Sequence, residues 1–328
     1  MKIKITELEQ QILSVLTSSG YSEDEAQMIT DVLMFGELSG QPSHGIARLV
    51  KGDLNIIENR GQGKIEINEK SQVSAVIKAN KHPGVLVGQV AMRKSLELAE
   101  KEGIGMVTSS GTFSSSGCLA YYLEQIALKG YIGIVMSQSE AFVSPFNSAE
   151  PLFGTNPIGF AFPAEEKPLI FDMATSNITF GAVLNAAMAA KKLPENTALD
   201  KEGNFTTDPE KALKGSVLPF DNSYKGSGLG MIVEILAGLL TGGGFTHLYK
   251  DKGWGNFFMV FSPALFMPLD QFNARMGEFL KRMESAQTKD GARLRLPGIK
   301  TLVTRDENLA RGEIDIDDVV LEEFKKYI

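Results

Sequence analysis

The sequence predicts an α/β protein of two lobes, and three observations carry that prediction. The chain of 328 residues is long enough to bury a large core and exceeds one small lobe. Its first sixty residues place apolar side chains at helical spacing. From about residue 72 onward, short strand-like runs alternate with amphipathic stretches of helical period.

Taken in order, Thr6-Glu7-Leu8-Glu9 reads as a capping box, with Leu8, Ile12, Leu13, Val15 and Leu16 on an apolar face. Ser22-Glu23-Asp24-Glu25 reads as a second box leading into Ala26, Ile29, Val32, Leu33 and Phe35. A third helix is expected to start near His44, capped by Ser43 after Pro42 and stopped by Asn59-Arg60-Gly61-Gln62-Gly63. Residues 72–78 alternate like a strand, 88–101 are amphipathic and 103–108 read as a buried strand. Ser114-Ser115-Ser116-Gly117 opens a helix to about Lys129, and strands follow at 131–136 and near Leu169-Ile170-Phe171. A helix is expected from about Lys225 to Leu240, a strand over 256–261 and a long helix from Leu269 to about Ser285. Residues 314–319 look like the Asp-capped start of a terminal helix. A soft boundary near residue 75 divides a helical domain, 1–75, from an α/β domain, 76–299. The segment 300–328 is expected to return to the N-terminal helices.

Composition excludes several function classes. Hydrophobic content of 43% and charged content of 22% are ordinary for a soluble enzyme. The net charge of −7 argues against nucleic acid as the main partner. Cys118 is the only cysteine, so no intrachain disulfide can form and no cysteine cluster suggests a metal; this suits a reducing cytoplasm. The N-terminal residues lack the apolar stretch of a signal peptide. The most apolar run, 229–240, contains Glu234 and is too short to span a bilayer. It reads as a buried helix whose Glu234 is paired or faces a cavity. No membrane partner is expected.

Ser43-His44-Gly45-Ile46-Ala47-Arg48 is the most informative stretch. In a helix starting at Ser43, His44 occupies the first turn and Arg48 stands one turn below on the same face. A guanidinium grips a carboxylate with two parallel hydrogen bonds, and an adjacent imidazole can give or take a proton. The same spacing also fits a plain helix start with a solvated arginine.

Other segments are open to two readings. Lys225-Gly226-Ser227-Gly228-Leu229-Gly230 is glycine-rich at a helix start, which serves either a phosphate held by free N–H groups or close helix packing. Phe171-Asp172-Met173-Ala174-Thr175-Ser176 ends a strand with an acid, small residues and hydroxyls. These suit a flat ligand with phosphate or ribose, or an acid capping a turn. Phe153-Gly154-Thr155-Asn156-Pro157 is a turn by its chemistry. His82, before Pro83-Gly84, reads as an exposed turn residue, and His247 has no obvious partner. The dinucleotide fingerprint Gly-x-Gly-x-x-Gly is absent, as are the P-loop, His-Glu-x-x-His and Gly-x-Ser-x-Gly.

Five of these segments, in order along essentially the whole chain, resemble the type-2 malate/L-lactate dehydrogenase family. They are the stretches from Ser43 to Arg48, Gly154 to Pro157, Asp172 to Ser176 and Lys225 to Leu229, with Leu296-Pro297-Gly298. The resemblance implies a helical N-terminal domain joined by the C-terminal segment. It also implies a non-Rossmann cofactor domain on a mixed, largely antiparallel sheet, so the missing fingerprint is expected. It implies NAD or NADP as cofactor, a homodimer and a small carboxylate substrate. His44 would match the acid/base histidine and Arg48 the carboxylate-binding arginine, with Ser43 and Thr112 also facing substrate. Asp172, Met173, Ala174, Thr175, Ser176, Lys225 and Gly226 would match the cofactor contacts, and no metal is implied.

Departures fall on the motifs. Thr112 replaces a second family histidine, Asn147-Ser148 and the stretch Asp221 to Tyr224 replace two Gly-Gly pairs, Ile299 replaces an acid and Gly52 a tyrosine. Lost glycines can block left-handed backbone or close approach to a ligand. The resulting expectation is hydride transfer between NAD(P)H and a 2-oxo acid or cyclic imine carboxylate, giving the 2-hydroxy or amino acid. The alternative is a repurposed scaffold that binds a carboxylate without redox activity.

Overall fold

The computed structural model describes residues 1–50, 55–245, 254–289, 291–292 and 294–328. Strand β1 (Lys2–Lys4) leads directly into α1 (Ile5–Ser18). The helix has Lys4 at its N-cap and no side-chain cap, so the box expected at Thr6 does not form. Pairing of β1 with a C-terminal strand sets the helix start instead, because it holds Lys2–Lys4 extended. Helix α2 (Glu23–Leu38) keeps its expected box: the Glu25 N–H donates to Ser22 Oγ at 3.3 Å and the Ser22 N–H to Glu25 Oε2 at 2.9 Å.

After α3 (Ala47–Val50), the described chain continues to β2 (Glu66–Ser71) and β3 (Ser74–Lys78). Then come α4 (Gly84–Glu102), β4 (Ile104–Thr112), α5 (Leu119–Leu128), β5 (Ile132–Ser137), β6 (Ile158–Phe162) and β7 (Leu169–Met173). A small lobe carries α6 (Phe180–Met188), β8 (Ala198–Leu199), α7 (Pro209–Leu213) and β9 (Ser216–Val217). Helix α8 (Tyr224–Val233) passes into a π turn, Glu234–Gly238, before β10 (Trp254–Phe261) and α9 (Leu269–Glu284). The chain closes with α10 (Ile299–Arg311), β11 (Glu313–Asp315) and α11 (Asp318–Lys325).

The main sheet runs β2-β3-β4-β10-β5-β6-β7, with β3 and β4 parallel and the other pairs antiparallel. This is the mixed, largely antiparallel sheet that the resemblance implied. Its central strands are covered on both faces: on β10, Phe258 and Val260 are fully buried on one face and Phe257 is buried on the other. The core is continuous from α1 and α2 through α4 and α5 into the sheet, and it takes in Leu302 of α10 and Phe324 of α11. Asp317 caps α11 by accepting from the Val320 N–H at 3.1 Å.

The register gathers one edge of the sheet. Thr112 at the end of β4 faces Trp254 at the start of β10, Ser137 at the end of β5 faces Asn256, and Met173 at the end of β7 faces Ile158. The turns carrying Gly154–Pro157 and Ala174–Ser176 therefore leave the sheet on the same side.

Two further expectations need correction. His82 is buried, not exposed. Its Nε2 lies 2.9 Å from the Gly63 carbonyl, and Gly61 packs on the ring where a Cβ would be 2.5 Å away. The run 229–240 is not a buried helix: it exposes Met231, Ile232, Ile235, Leu239 and Leu240 on one side. Glu234 turns inward and accepts from Asn156 Nδ2 at 2.7 Å. Among the described residues, no helix is long and apolar enough to cross a membrane.

Candidate active site

The helix expected from Ser43 does not form as a single element. Pro42–His44 makes one turn of 3₁₀ helix, Gly45 breaks it at φ −98° and ψ −144°, and α3 begins only at Ala47. The end of α2 imposes this break. Gly36 lets the His44 carbonyl approach to where a Cβ would be only 2.7 Å from its oxygen. Glu37 Oε1 accepts the Ile46 N–H at 2.7 Å.

Ser43, His44 and Arg48 nevertheless come together by another route. Ser43 Oγ lies 3.0 Å from His44 Nδ1. Arg48 folds back so that its Nε donates to the Ser43 carbonyl at 2.8 Å. Histidine and arginine are half-buried. Burial, with the neighbouring Arg48 charge, lowers the His44 pKa to about 4, and burial lowers that of Arg48 to about 10. At neutral pH the ligand-free imidazole is therefore neutral and the guanidinium charged. The first turn of α6 stands beside them, where a Cβ on Gly181 would touch Ser43 at 3.7 Å.

Three residues before His44, Gln41 lines a cavity of about 300 Å³ together with Phe35, Asp172, Leu296, Gly298 and Lys300. Asp172 opens onto this cavity and accepts the Ala120 N–H at 3.2 Å. The protein packed around it raises its pKa to about 6, against the pull of that hydrogen bond. Gly298 has φ +77° and sits against the Ile170 carbonyl, 2.6 Å from where a Cβ would be. Only glycine allows that approach, which docks Leu296-Pro297-Gly298 onto β7.

The rest of the Asp172–Ser176 segment departs from expectation. Thr175 is buried, and its hydroxyl donates to the Thr155 and Asn156 carbonyls at 3.2 and 3.1 Å; Ser176 Oγ donates to the Ile178 carbonyl at 2.7 Å. These hydroxyls build the sheet edge and are not held out for a ligand, while Met173 and Ala174 stay half-exposed. The Phe220 N–H donates to the Thr175 carbonyl at 3.0 Å, so the approach to α8 is tied to the same edge.

At α8 the free N–H groups expected for a phosphate are already used. The Lys225 N–H donates to Ser223 Oγ at 3.0 Å and the Gly226 N–H to Asp221 Oδ1 at 3.1 Å. The glycines serve close packing, Gly230 lying against Phe153 and Thr175. The Lys225 side chain is exposed and has no ion pair among the described residues.

Thr112 does not join the site. It is fully buried, and its hydroxyl is within 3.0 Å of the Ser114 carbonyl and 3.2 Å of the Trp254 carbonyl. The lost glycines leave the backbone intact, because Asn147 and Asn222 take φ +65° and +50° themselves. Asparagine tolerates the left-handed region better than most residues. Gly52 and His247 lie outside the described residues.

Glu37, Gln41 and the contact of Gln41 with Cys118 escaped the sequence reading. Cys118 donates its thiol hydrogen to Gln41 Oε1 at 3.3 Å, and burial raises its pKa. The available signal was a carboxylate closing the apolar run of α2, with no basic residue in its last turn.

The chain and its fold are similar to those of known proteins. L-sulfolactate dehydrogenase of Methanothermobacter thermautotrophicus is 32% identical over 333 residues, covering 98% of this chain and 95% of that protein. Delta(1)-pyrroline-2-carboxylate reductase 1 of Burkholderia ambifaria is 31% identical, covering 94% and 93%. The crystal structure of malate dehydrogenase from Entamoeba histolytica superposes with a TM-score of 0.92 at 26% identity, covering 100% of this chain and 97% of that one. Residues 3–325 match the malate/L-lactate dehydrogenase family along nearly the full chain, and the protein is a member of that family, an oxidoreductase of the malate/lactate dehydrogenase type.

Proposed function

We propose that this enzyme interconverts a 2-oxo acid, or a cyclic imine carboxylate, with the corresponding 2-hydroxy or amino acid. The observation that carries this reading is the Ser43–His44–Arg48 cluster, two residues after Gln41 of the Asp172 cavity. Arg48 holds the substrate carboxylate, and His44 exchanges a proton with the oxygen or nitrogen on C2. In oxidation, the neutral imidazole is ready to take the hydroxyl proton. In reduction, a bound carboxylate offsets the Arg48 charge and favours the imidazolium that must donate. Ser43 Oγ holds the ring through Nδ1.

The residues present fit a nicotinamide dinucleotide. Among the described residues, Gln138 Oε1 and Ser115 Oγ are buried without a partner near the gathered sheet edge, and the exposed Lys225 adds a cation without an ion pair. Asp172, Met173, Ala174 and Lys225 would hold the cofactor, which supplies or accepts hydride at C2 when bound. The clustered departures from the family pattern motivate the repurposed-scaffold alternative. The left-handed Asn147 and Asn222 support the redox reading over it.

We also read the protein as a homodimer. Helix α9 buries none of its residues in the single chain, although its polar and apolar side chains lie on opposite faces. Phe266 before it is 80% exposed.

The test is fluorescence titration with NADH and, separately, NADPH. Turnover would then be measured with oxaloacetate, pyruvate, sulfopyruvate and Δ¹-pyrroline-2-carboxylate. Saturable micromolar binding of either nucleotide, with turnover of at least one acid, is expected and names the cofactor. A folded protein that binds neither would overturn the reading.

A further inference from the structure

We propose that Glu37 is a positioning residue for the His44–Arg48 pair, acting through the backbone between them; this rests on the catalytic reading above. Glu37 is 8% exposed at the end of α2, and its one hydrogen bond among the described residues is the 2.7 Å acceptance from the Ile46 N–H. The carboxylate lies flat against Gly45, where a Cβ would be 2.1 Å from Oε1. On the preceding residue, Gly36, a Cβ would be 2.7 Å from the His44 carbonyl oxygen. Two successive α2 residues thus grip His44, Gly45 and Ile46 from below.

That grip decides where both functional side chains stand. Were Ile46 N–H free, the extended Gly45 would be free to turn helical, and residues 42–50 would merge into the continuous helix that their local sequence favours. His44 and Arg48 would then lie one turn apart on a regular helix, and Arg48 Nε would lose its reach back to the Ser43 carbonyl. The buried carboxylate has no cation to pair with among the described residues, and burial raises its pKa to about 7. Either protonation state can accept the Ile46 N–H, so the required group is an acceptor at this position and not a charge.

The test compares Glu37→Gln, Glu37→Ala and Glu37→Asp in the full chain. Gln keeps the acceptor, Ala removes it, and Asp keeps the charge but withdraws it by one methylene. With the fastest of the four acids named above, Gln is expected within threefold of the parent kcat/KM. Ala and Asp should lose at least tenfold, with reduced-nucleotide Kd changed by less than twofold. Amide exchange in peptides spanning residues 43–50 should accelerate in Ala and Asp and stay slow in Gln. Asp substitutes for Ala should Ala not fold. Folded Ala and Asp variants with parental kcat/KM would overturn the proposal, as would a Gln variant as impaired as Ala. His44→Ala and Arg48→Ala are run alongside. If these two keep parental activity, the catalytic reading fails; if they lose it while the Glu37 variants do not, only the role of Glu37 fails.

Discussion

Arg48 spends its Nε on the Ser43 carbonyl, which leaves the terminal guanidinium nitrogens without a protein partner among the described residues. A charge-assisted contact from them to a substrate carboxylate contributes about 1.5–3 kcal/mol, roughly 10- to 150-fold in binding. Arg48→Ala should raise KM for the acid by that factor and leave nucleotide Kd unchanged, as read by steady-state kinetics and fluorescence titration. Arg48→Lys should recover little, since an ammonium lacks the planar fork. Glu37 makes a separate, pH-dependent prediction. Its pKa is raised from 4.5 to about 7 on folding, so the native state binds more protons than the unfolded chain in that window. The favourable contribution of the protonated form is present below pH 4.5 and is lost as pH rises to 7. Glu37→Gln should therefore gain stability relative to the parent across this window, by up to about 3 kcal/mol, and level off above it. Urea unfolding at pH 5, 6, 7 and 8 checks the sign. His44 runs the other way: its lowered pKa takes stability away as pH falls from 6.5 toward 4.

Helix α10 and the glycine that precedes it bring Gly298 and Lys300 to the Asp172 cavity, and two long-range contacts hold the helix there. Arg305 pairs with the buried Glu124 of α5, and Asn308 Nδ2 donates to the Leu38 carbonyl at 2.7 Å. Breaking a buried pair from one side leaves an uncompensated charge, which costs about 3–5 kcal/mol. Arg305→Ala should fall in or just below that range in urea unfolding, because Arg305 is partly exposed. Ser22→Ala, which removes an ordinary helix cap, should cost about 1 kcal/mol. The contrast explains what was legible here. The Ser22 box and the Asp317 cap were readable because cap and helix lie within four residues. The Thr6 box failed because β11, some three hundred residues away, claims Lys2–Lys4. The expected helix at Ser43 failed because Glu37 takes the Ile46 N–H.

At the scale of the whole molecule, apolar side chains stay exposed on two segments. Met231, Ile235, Leu239 and Leu240 project from α8 and the turns after it, with Phe266 and Phe279 exposed around α9. Large exposed apolar patches mark interaction surfaces. Replacing Met231 with Glu and Leu240 with Arg together should shift the protein to monomer in sedimentation velocity, while the parent sediments as a dimer. Unchanged sedimentation would place the interface elsewhere.

By itself the sequence determined the class of the fold, the helical start, several central strands, and the motif residues from Ser43 to Arg48 and at Asp172. Hydrophobic period, turn chemistry and motif order are local properties and survive without coordinates. Tertiary structure alone decided which polar groups are free. Thr112, Thr175 and Ser176 look available on paper, yet their hydroxyls are spent on carbonyls within the fold. Asn147 and Asn222 look like lost glycines, yet they keep the left-handed turns. A hydroxyl or a peptide N–H has few bonds to give, and whether the chain has already taken them depends on segments that meet only when it folds.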